Sequence, residues 1–350
     1  MAYTNIDDPS AHFYTYAFSK SSGTGSVTFD ANSDLQPDFL WVKSRTNADS
    51  YELWDSTRGV SATLFSDNAS VEDAADNRLV SFDTDGFTWG NAGNLNAAGN
   101  FVSWAWKANA GSTSSNTDGT ITSTVQANTD AGFSIVTYTG TGSAATIGHG
   151  LGVAPKFYVV KNRNNTGSTN WTCYHEGLTS NQYFLYLDTS AAQSNSVDFW
   201  NSTSPTSSVF SIKSGSDNVS NAYNYVAYCF AEKQGYSKFG SYTGNGNANG
   251  TFVYTGFKPS FVMIKRSDSV GNWVILDNKR DAYNQATEAL RPDLPNVTLD
   301  STDHATDFLS NGFKFRGTGA RVNGSSATYI YMAFAENPFV TSTGIPTTAR

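Results

Sequence analysis

The chain has 350 residues, with 14% aromatic and 15% charged side chains and a formal net charge of −8, a length that suits two or three domains of roughly 100 to 150 residues. The negative charge argues against nucleic acid as a partner, because phosphate backbones are bound by clustered Lys and Arg. The polar, acidic first residues and the lack of an apolar run of roughly 20 residues predict neither a signal peptide nor membrane insertion.

A strand motif, Pro-x-Phe-x-x-(Val/Ile)-Lys, occurs three times along the chain. Its prolines are separated by domain-sized intervals, so the repeated unit is too long to be a turn of a solenoid. We therefore predict three tandem copies of one domain, each with a core of its own. The occurrences are Pro37-Asp38-Phe39-Leu40-Trp41-Val42-Lys43, Pro155-Lys156-Phe157-Tyr158-Val159-Val160-Lys161 and Pro259-Ser260-Phe261-Val262-Met263-Ile264-Lys265.

A second shared segment follows the strand motif in every copy. It begins with an aromatic residue and has a polar residue four positions later. Asp55 and Asp277 correspond to each other in two copies, so we interpret them as framework residues rather than as a catalytic pair. The three segments run from Tyr51 to Asp55, from Trp171 to His175 and from Trp273 to Asp277.

Each copy closes with an alternating apolar strand. In the first copy Val102, Trp104 and Trp106 point to one face, and small residues occupy the other. This pattern predicts a strand in the middle of a sheet, with bulky side chains toward a core and another layer packed closely behind it. The closing blocks are Phe101-Val102-Ser103-Trp104-Ala105-Trp106, Tyr225-Val226-Ala227-Tyr228-Cys229-Phe230 and Tyr329-Ile330-Tyr331-Met332-Ala333-Phe334.

These blocks place the three copies at residues 1–108, 131–234 and 235–339. Residues 109–130 are rich in Gly, Ser and Thr and predict an extended linker. The second and third copies meet across a short segment, so we expect them to be docked rigidly. Residues 340–350 are either a flexible end or a docking strand.

Many short alternating segments bounded by Gly and Asn predict an all-β protein made of three antiparallel β-sandwiches similar to jelly rolls. We expect helix to be limited to a turn or two, at residues 71–79 and 281–290. Ala, Glu and Leu gather in these two stretches before turn residues.

The residues that usually carry chemistry are scattered. Cys173 and Cys229 align with apolar residues of the other copies, which favours reduced, buried thiols over a disulfide. The four histidines lack the spacing of metal ligands, and Gly-x-Ser-x-Gly is absent. We therefore expect no metal, no cofactor and no enzymatic activity, although a pair of carboxylates for glycoside hydrolysis remains formally open.

Three aromatic residues are candidates for receptor binding. Trp200, Tyr223 and Tyr283 lie in variable stretches rich in Asn, Ser and Asp, unlike Trp104 and Trp273, whose aligned positions predict a core. Exposed rings in loops stack on sugars or fill protein interfaces. We therefore select these three residues as the candidate site.

The chain resembles a family of repeat-containing structural proteins of marine tailed phages, cyanophages included. The resemblance covers nearly the whole length and brings no catalytic residues with it. It implies a tail-fibre or other surface protein of the virion, made in the host cytoplasm. Its specific segments are Met1-Ala2-Tyr3-Thr4, Ile6-Asp7-Asp8-Pro9-Ser10, Gly132-Phe133-Ser134-Ile135-Val136-Thr137-Tyr138-Thr139-Gly140, His149-Gly150-Leu151-Gly152-Val153-Ala154-Pro155 and Ala333-Phe334-Ala335-Glu336-Asn337-Pro338-Phe339.

We consider three functions. The first is a tail-fibre or tail-tip protein whose β-domains contact a host surface glycan or protein, since repeated domains give reach and avidity. The second is a capsid-decorating or head-fibre protein, and the third is a polysaccharide depolymerase. The expected partners are other virion proteins and further copies of the chain, with a trimer favoured. No heptad pattern is present, so a coiled coil does not hold such a trimer together.

Overall fold

The computed structural model describes residues 2–167 and 169–348 of the chain. It is an all-β protein of antiparallel sheets, which confirms the predicted fold class. The helical segments of this part are three short 3-10 turns, Pro9–Ala11, Asn94–Asn96 and Thr302–His304. No helix among the described residues is long and apolar enough to span a bilayer. Met1 of the predicted first copy, Ser168 of the predicted second copy and residues 349–350 of the predicted tail lie outside the described residues.

The prediction of short helices at residues 71–79 and 281–290 is wrong. In the first stretch the backbone N–H groups of Glu72 and Asp73 donate to distant carbonyls, at Arg163 and Thr63. In the second stretch the N–H groups of residues 287 and 288 donate to the carboxylate of Asp281. Tertiary hydrogen bonds therefore override the helix propensity of both stretches.

The first copy consists of eight strands: β1 (Phe13–Lys20), β2 (Gly25–Val27), β3 (Phe39–Ser44), β4 (Glu52–Asp55), β5 (Leu64–Phe65), β6 (Leu79–Asp83), β7 (Gly86–Trp89) and β8 (Gly99–Trp106). The larger sheet has the order β1-β8-β3-β4-β5, and the smaller sheet has the order β2-β7-β6. The closing strand β8 lies inside its sheet, as its alternation predicts.

The second copy consists of ten strands: β9 (Ser114–Asn116), β10 (Ser123–Asn128), β11 (Phe133–Thr139), β12 (Ala145–Gly148), β13 (Phe157–Asn162), β14 (Thr172–His175), β15 (Tyr183–Tyr186), β16 (Ser194–Asn195), β17 (Val209–Ile212) and β18 (Asn224–Phe230). The larger sheet has the order β16-β15-β14-β13-β18-β11-β10-β9, and β12 pairs with β17.

The prediction of an extended linker at residues 109–130 is wrong where this stretch forms β9 and β10. Strand β10 pairs with β11 on the side opposite to β18. Its polar composition conceals an alternation in which Val125 and Gln126 are both buried, on opposite faces. The backbone hydrogen bonds to β11 satisfy the polar groups of a segment that has few apolar side chains.

The third copy consists of nine strands: β19 (Ser237–Thr243), β20 (Phe252–Tyr254), β21 (Phe257–Arg266), β22 (Val274–Asp277), β23 (Glu288–Ala289), β24 (Leu299–Asp300), β25 (Thr306–Leu309), β26 (Gly312–Phe315) and β27 (Thr328–Pro338). Its sheets have the orders β19-β27-β21-β22, β20-β26-β25 and β23-β24. After β27 the chain folds back, and the N–H of Ser342 donates to Asp7 at 2.6 Å. This part of the tail is therefore docked on the N-terminal segment.

The three Pro-x-Phe strands, β3, β13 and β21, occupy the same place in their sheets. In each copy the last aromatic residue of the closing strand pairs with β1, β11 or β19 on one side and with the Phe of the motif on the other. Trp106 pairs with Phe13 and Phe39, Phe230 with Phe133 and Phe157, and Phe334 with Ser237 and Phe261. The identical registers make these strands equivalent, as the sequence motif predicts.

The inner faces of the three larger sheets share one hydrophobic core. The ring of Trp106 packs on Phe230 of the second copy and on Phe334 of the third, at centroid distances of 6.0 and 5.6 Å. The outer faces form a separate core within each copy. Because each inner face is buried against the other two, the copies form one body and not a string of independent domains.

The contacts between the copies close into a ring. At each interface a residue of one copy's closing strand is hydrogen-bonded to the last residue of the second shared segment in another copy. The three bonds join Tyr228 Oη to Asp55 Oδ2 (2.7 Å), Trp104 Nε1 to Asp277 Oδ2 (3.2 Å) and His175 Nε2 to Tyr331 O (3.0 Å). The second copy thus contacts the first, the first contacts the third, and the third contacts the second. This arrangement has approximate threefold symmetry.

Candidate functional site

The selection of Trp200 as a receptor-binding residue is wrong, because its side chain is fully buried. Its ring lies on the outer core of the second copy, 4.9 Å from the ring centroid of Tyr158 and 6.2 Å from that of Tyr174. The polar loop that carries Trp200 folds back over the sheet. The polar residues around Trp200 in the sequence therefore do not indicate whether its ring is buried.

The other two candidates differ in exposure. Tyr223 is half-buried against the outer core of the second copy, whereas Tyr283 of the third copy is 84% exposed. Among the described residues no ring contact joins Trp200, Tyr223 and Tyr283. The structure therefore does not bring the three together into one site, and Tyr283 alone keeps the exposure expected of a receptor contact.

Two carboxylates of the ring contacts also bind an arginine three residues later. Asp55 Oδ2 lies 2.5 Å from Arg58 Nε and Asp277 Oδ2 lies 2.6 Å from Arg280 Nε, with all four side chains fully buried. Removal of one partner of such a buried pair strongly destabilises the folded protein, because the other charge is left buried and uncompensated. These contacts fit the framework role inferred for the two aspartates.

The second copy has a histidine at the position of these aspartates. Burial lowers the pKa of His175 to about 4. The imidazole is therefore neutral at pH 7, with Nδ1 accepting from the N–H of Gly177 at 2.9 Å and Nε2–H donating to Tyr331 O. A neutral ring thus occupies the place that a buried ion pair occupies in the other two copies.

Each copy also buries the lysine of its Pro-x-Phe motif. These ammonium groups donate to backbone carbonyls, as in the 3.0 Å bond from Lys161 Nζ to Ala69 O of the first copy. Burial lowers the pKa of each lysine to about 8, and it raises the pKa of the aspartate that attracts each one. The pairs are Lys43 with Asp67, Lys161 with Asp188 and Lys265 with Asp293.

These three aspartates were not among the residues predicted from the sequence to be functional. Each accepts the N–H of the aromatic residue that begins the second shared segment, Tyr51, Trp171 or Trp273. A Leu-x-x-Asp motif in every copy was the available signal. It reads Leu64-Phe65-Ser66-Asp67, Leu185-Tyr186-Leu187-Asp188 and Leu290-Arg291-Pro292-Asp293. The segments between the second shared segment and the Leu-x-x-Asp motif differ in length from copy to copy, so the aspartates do not align at a constant spacing.

The cysteines and the metal-ligating residue types do not form a site. Cys173 and Cys229 are free and buried, which confirms the prediction of reduced thiols. Within residues 2–167 and 169–348, no group of three or more His, Cys, Asp or Glu side chains is placed to hold a metal ion.

A groove opens between the first and third copies, with a volume of about 390 Å³. Tyr14 and Thr15 of β1 line one side, and Asn278 and Lys279, which directly follow β22, line the other. Asp30, from the segment between β2 and β3, lies beside Tyr14. We call this cavity the open groove.

A chain of hydrogen bonds runs along the open groove. Lys279 Nζ donates to Tyr14 Oη at 2.6 Å, and the Tyr14 hydroxyl donates to Asp30 Oδ1 at 2.6 Å. Burial, together with this bond to Asp30, raises the pKa of Tyr14 well above its usual value. At Asp30, partial burial acts to raise the pKa of the carboxyl, but the hydrogen bond from Tyr14 acts in the other direction, and the pKa lies below its usual value. The open groove therefore offers an ammonium group, a carboxylate and amides to a polar ligand.

The sequence profile of one family, described as a domain of unknown function (DUF7483), matches residues 8–338. The chain belongs to this family. No curated protein and no solved structure shows significant similarity to it. Because the DUF7483 match runs through all three copies, the family unit is the whole ring rather than one copy.

The DUF7483 ring has three equivalent interfaces. The open groove lies at one of them, and the corresponding space at the other two is filled. The shared register places Thr15, Ile135 and Phe239 at one corresponding position. Phe239 fills the interface between the third and second copies by packing on Phe230 and Phe334, at 6.3 and 6.1 Å. At the interface between the second and first copies, the space is taken by strand β10.

At the open groove the corresponding residue is Thr15, which is smaller than Ile or Phe. Thr15 is buried, and its Oγ1 has no hydrogen-bond partner among the described residues. A buried hydroxyl without a partner costs about 1–3 kcal/mol. The first copy therefore keeps both space and an unused polar group at a position that the other copies fill.

Proposed function

We propose that the chain is a non-enzymatic structural protein of the virion of a tailed phage, and that it acts in the tail fibre or tail tip by attaching to a host surface. The proposal combines the resemblance of its repeated segments to virion proteins of marine phages with the use of its buried charges. In two copies the buried aspartate and arginine hold neighbouring copies together. The loops and the open groove remain as surfaces for binding.

The observation that carries the proposal is the shared core of the three copies. A body in which three sheets bury their inner faces against one another is rigid, because a packed interior transmits strain instead of yielding to it. A rigid body presents its loops in fixed positions and loses little conformational entropy on binding. This property suits a protein that works by attachment.

Capsid decoration is the second candidate, and the closed ring favours it. Tandem domains give reach only when they are strung end to end, and here they close on one another. A compact body suits a position on the capsid surface at least as well as one at the end of a fibre. The trimer expected from the resemblance stays a separate prediction, which light scattering of the purified chain measures.

Localisation of the protein in the virion tests the proposal. Purified particles would be labelled with gold-conjugated antibody against the chain and imaged by electron microscopy. We expect label on the tail, and a deletion mutant that adsorbs poorly to its host. Label on the head together with fragile heads in the deletion mutant would support capsid decoration instead. Absence of the chain from washed particles would contradict both.

The depolymerase alternative has its own assay. The purified chain would be incubated at high concentration with host envelope polysaccharide, and reducing sugar would be measured over time. We expect no release above that of a heat-denatured control. Sugar release that depends on the folded chain would overturn the non-enzymatic assignment.

A further inference from the structure

We propose that the open groove binds an extended polypeptide segment of another virion protein, which pairs with the free edge of β1 in the way that β10 pairs with β11. That the partner belongs to the virion rests on the proposed function. The pairing itself is inferred from the internal comparison of the three interfaces.

Strand β1 has a free edge at the place where its counterpart β11 is covered. Strand β1 is the outer strand of its sheet, whereas β11 lies between β18 and β10. The N–H of Lys107 donates to His12 O, which fixes the alternation of hydrogen bonds between β1 and β8. By this alternation the N–H and C=O groups of Thr15 and Ala17 point away from β8, toward the open groove. Thr15 is buried at the bottom of the groove, and Ala17 is partly exposed. Such an edge is a template for an added strand.

The second copy shows how an added strand sits at this position. Gln126 of β10 pairs with Ile135, the counterpart of Thr15. The Gln126 side chain reaches into the neighbouring copy, where its Nε2 donates to the hydroxyls of Ser56 and Thr57, each at 3.0 Å. The chain therefore already contains one complete example of the proposed complex.

The receiving residues of that example have counterparts in the open groove. Ser56 and Thr57 directly follow Asp55, and Asn278 and Lys279 directly follow Asp277. Since the pairs Asp55–Arg58 and Asp277–Arg280 have the same geometry, the two turns are equivalent. A side chain that projects from a strand paired with Thr15 would thus meet Asn278 and Lys279. Asn278 Nδ2 donates to Glu336 Oε2 at 2.7 Å and Lys279 Nζ donates to Tyr14 Oη at 2.6 Å, so the side chain of an added Gln or Asn would join an existing hydrogen-bond network.

A polypeptide fits this groove better than a saccharide. Sugar sites use the face of an aromatic ring, and two rings of β1 line the groove. Phe13 is buried in the shared core, which leaves Tyr14. The ammonium of Lys279 lies over this ring, 4.7 Å from its centroid, and the Tyr14 hydroxyl is engaged by Lys279 and Asp30. Backbone groups of an added strand need neither the ring face nor the hydroxyl.

The test uses a fluorescein-labelled synthetic peptide with the sequence of residues 122–129 of this chain, which contains the Gln of β10. Its binding to the full-length protein would be followed by fluorescence anisotropy. We expect saturable binding that is weakened at least about tenfold when the Gln of the peptide is replaced by Leu. Hydrogen exchange should slow at the amides of Thr15 and Ala17 when the peptide is bound.

Two variants of the protein locate the site. Thr15→Phe fills the groove as Phe239 fills its counterpart, and Ala17→Pro removes an outward N–H from the edge without breaking the pairing with β8. Each should weaken peptide binding at least about tenfold. The matched control is Ser241→Pro, at the corresponding position of the edge strand β19, and it should leave binding unchanged.

Each outcome decides the proposal. No saturable binding to the wild-type protein, or binding that persists in folded Thr15→Phe and Ala17→Pro, overturns strand pairing at the open groove. If the protein binds host oligosaccharide but not the peptide, and Thr15→Phe abolishes this binding, the groove is a sugar site instead. Peptide binding by a chain that is absent from purified virions would contradict the proposed function and leave the groove assignment intact.

Discussion

Replacement of Trp106 by alanine tests whether the three copies are one folding unit. The Trp106 side chain is fully buried in the shared core, and its ring contacts five other aromatic rings at centroid distances of 4.7 to 6.0 Å. Those rings come from all three copies. A buried Trp→Ala change costs about 3–5 kcal/mol, and we expect the upper part of that range because aromatic contacts contribute beyond their buried area.

Urea unfolding and hydrogen exchange measure this effect. We expect one cooperative transition, shifted to lower urea with an unchanged slope. A loss of about 4 kcal/mol should accelerate exchange roughly a thousandfold in the closing strands β18 and β27 as well as in β8. Trp89→Ala is the control, because Trp89 packs on Phe18 and Phe87 within the outer core of the first copy. It should accelerate exchange mainly in β2, β6 and β7.

Exchange of β18 and β27 at wild-type rates in Trp106→Ala would refute the single folding unit. Separate unfolding transitions for the three copies would have the same meaning. Either result would show that the inner faces of the sheets do not depend on one another for burial, and that the copies fold as independent domains.

Three further predictions concern buried polar groups. The pKa of Lys161 in the folded protein is about 8, below the usual lysine value of 10.5. Between these two values the unfolded chain binds more protons than the folded one, so the free energy of unfolding should rise as pH increases from 8 toward 10. Lys161→Met should reduce this rise by up to about 3 kcal/mol in chemical denaturation, whereas the more exposed Lys156→Met should not, and an unchanged profile in Lys161→Met would contradict the burial. Thr15→Ile should raise the stability by about 1 kcal/mol, measured as an increased Tm, because it replaces a hydroxyl without a partner by the residue type of the second copy; a lowered Tm would show that the groove cannot accept the side chain. Arg280→Met leaves Asp277 buried without its partner and should cost about 3–5 kcal/mol in urea unfolding, and a cost below about 1 kcal/mol would show that this pair is dispensable.

The strands of the shared core were predictable because alternation is a local property. The position of β8, β18 and β27 inside their sheets and the burial of Trp104 follow from patterns of a few residues. The partner of each inner face was not predictable in this way. Both faces of these strands are buried, and the alternation of one strand says nothing about whether the second layer comes from its own copy or from another.

The candidate site was the least predictable part for a related reason. Trp200 and Tyr283 have similar polar neighbours in the sequence, yet one is buried and the other exposed. Burial of a loop side chain depends on where the loop folds, which is set by contacts distant in the sequence. The open groove depends on a difference between aligned positions, Thr15 against Ile135 and Phe239, and this difference has meaning only once the ring shows what each residue faces.

The difference between the copies bears directly on why one chain carries all three. A trimer of identical single-copy chains would have three identical interfaces, because symmetry repeats each residue at every one of them. With three copies in one chain, β10 fills one interface and Phe239 fills another, while Thr15 leaves the third open. Two interfaces can thus be optimised for packing and the third can retain a free strand edge. A single attachment point of defined orientation follows from this asymmetry, which identical subunits arranged with threefold symmetry cannot provide.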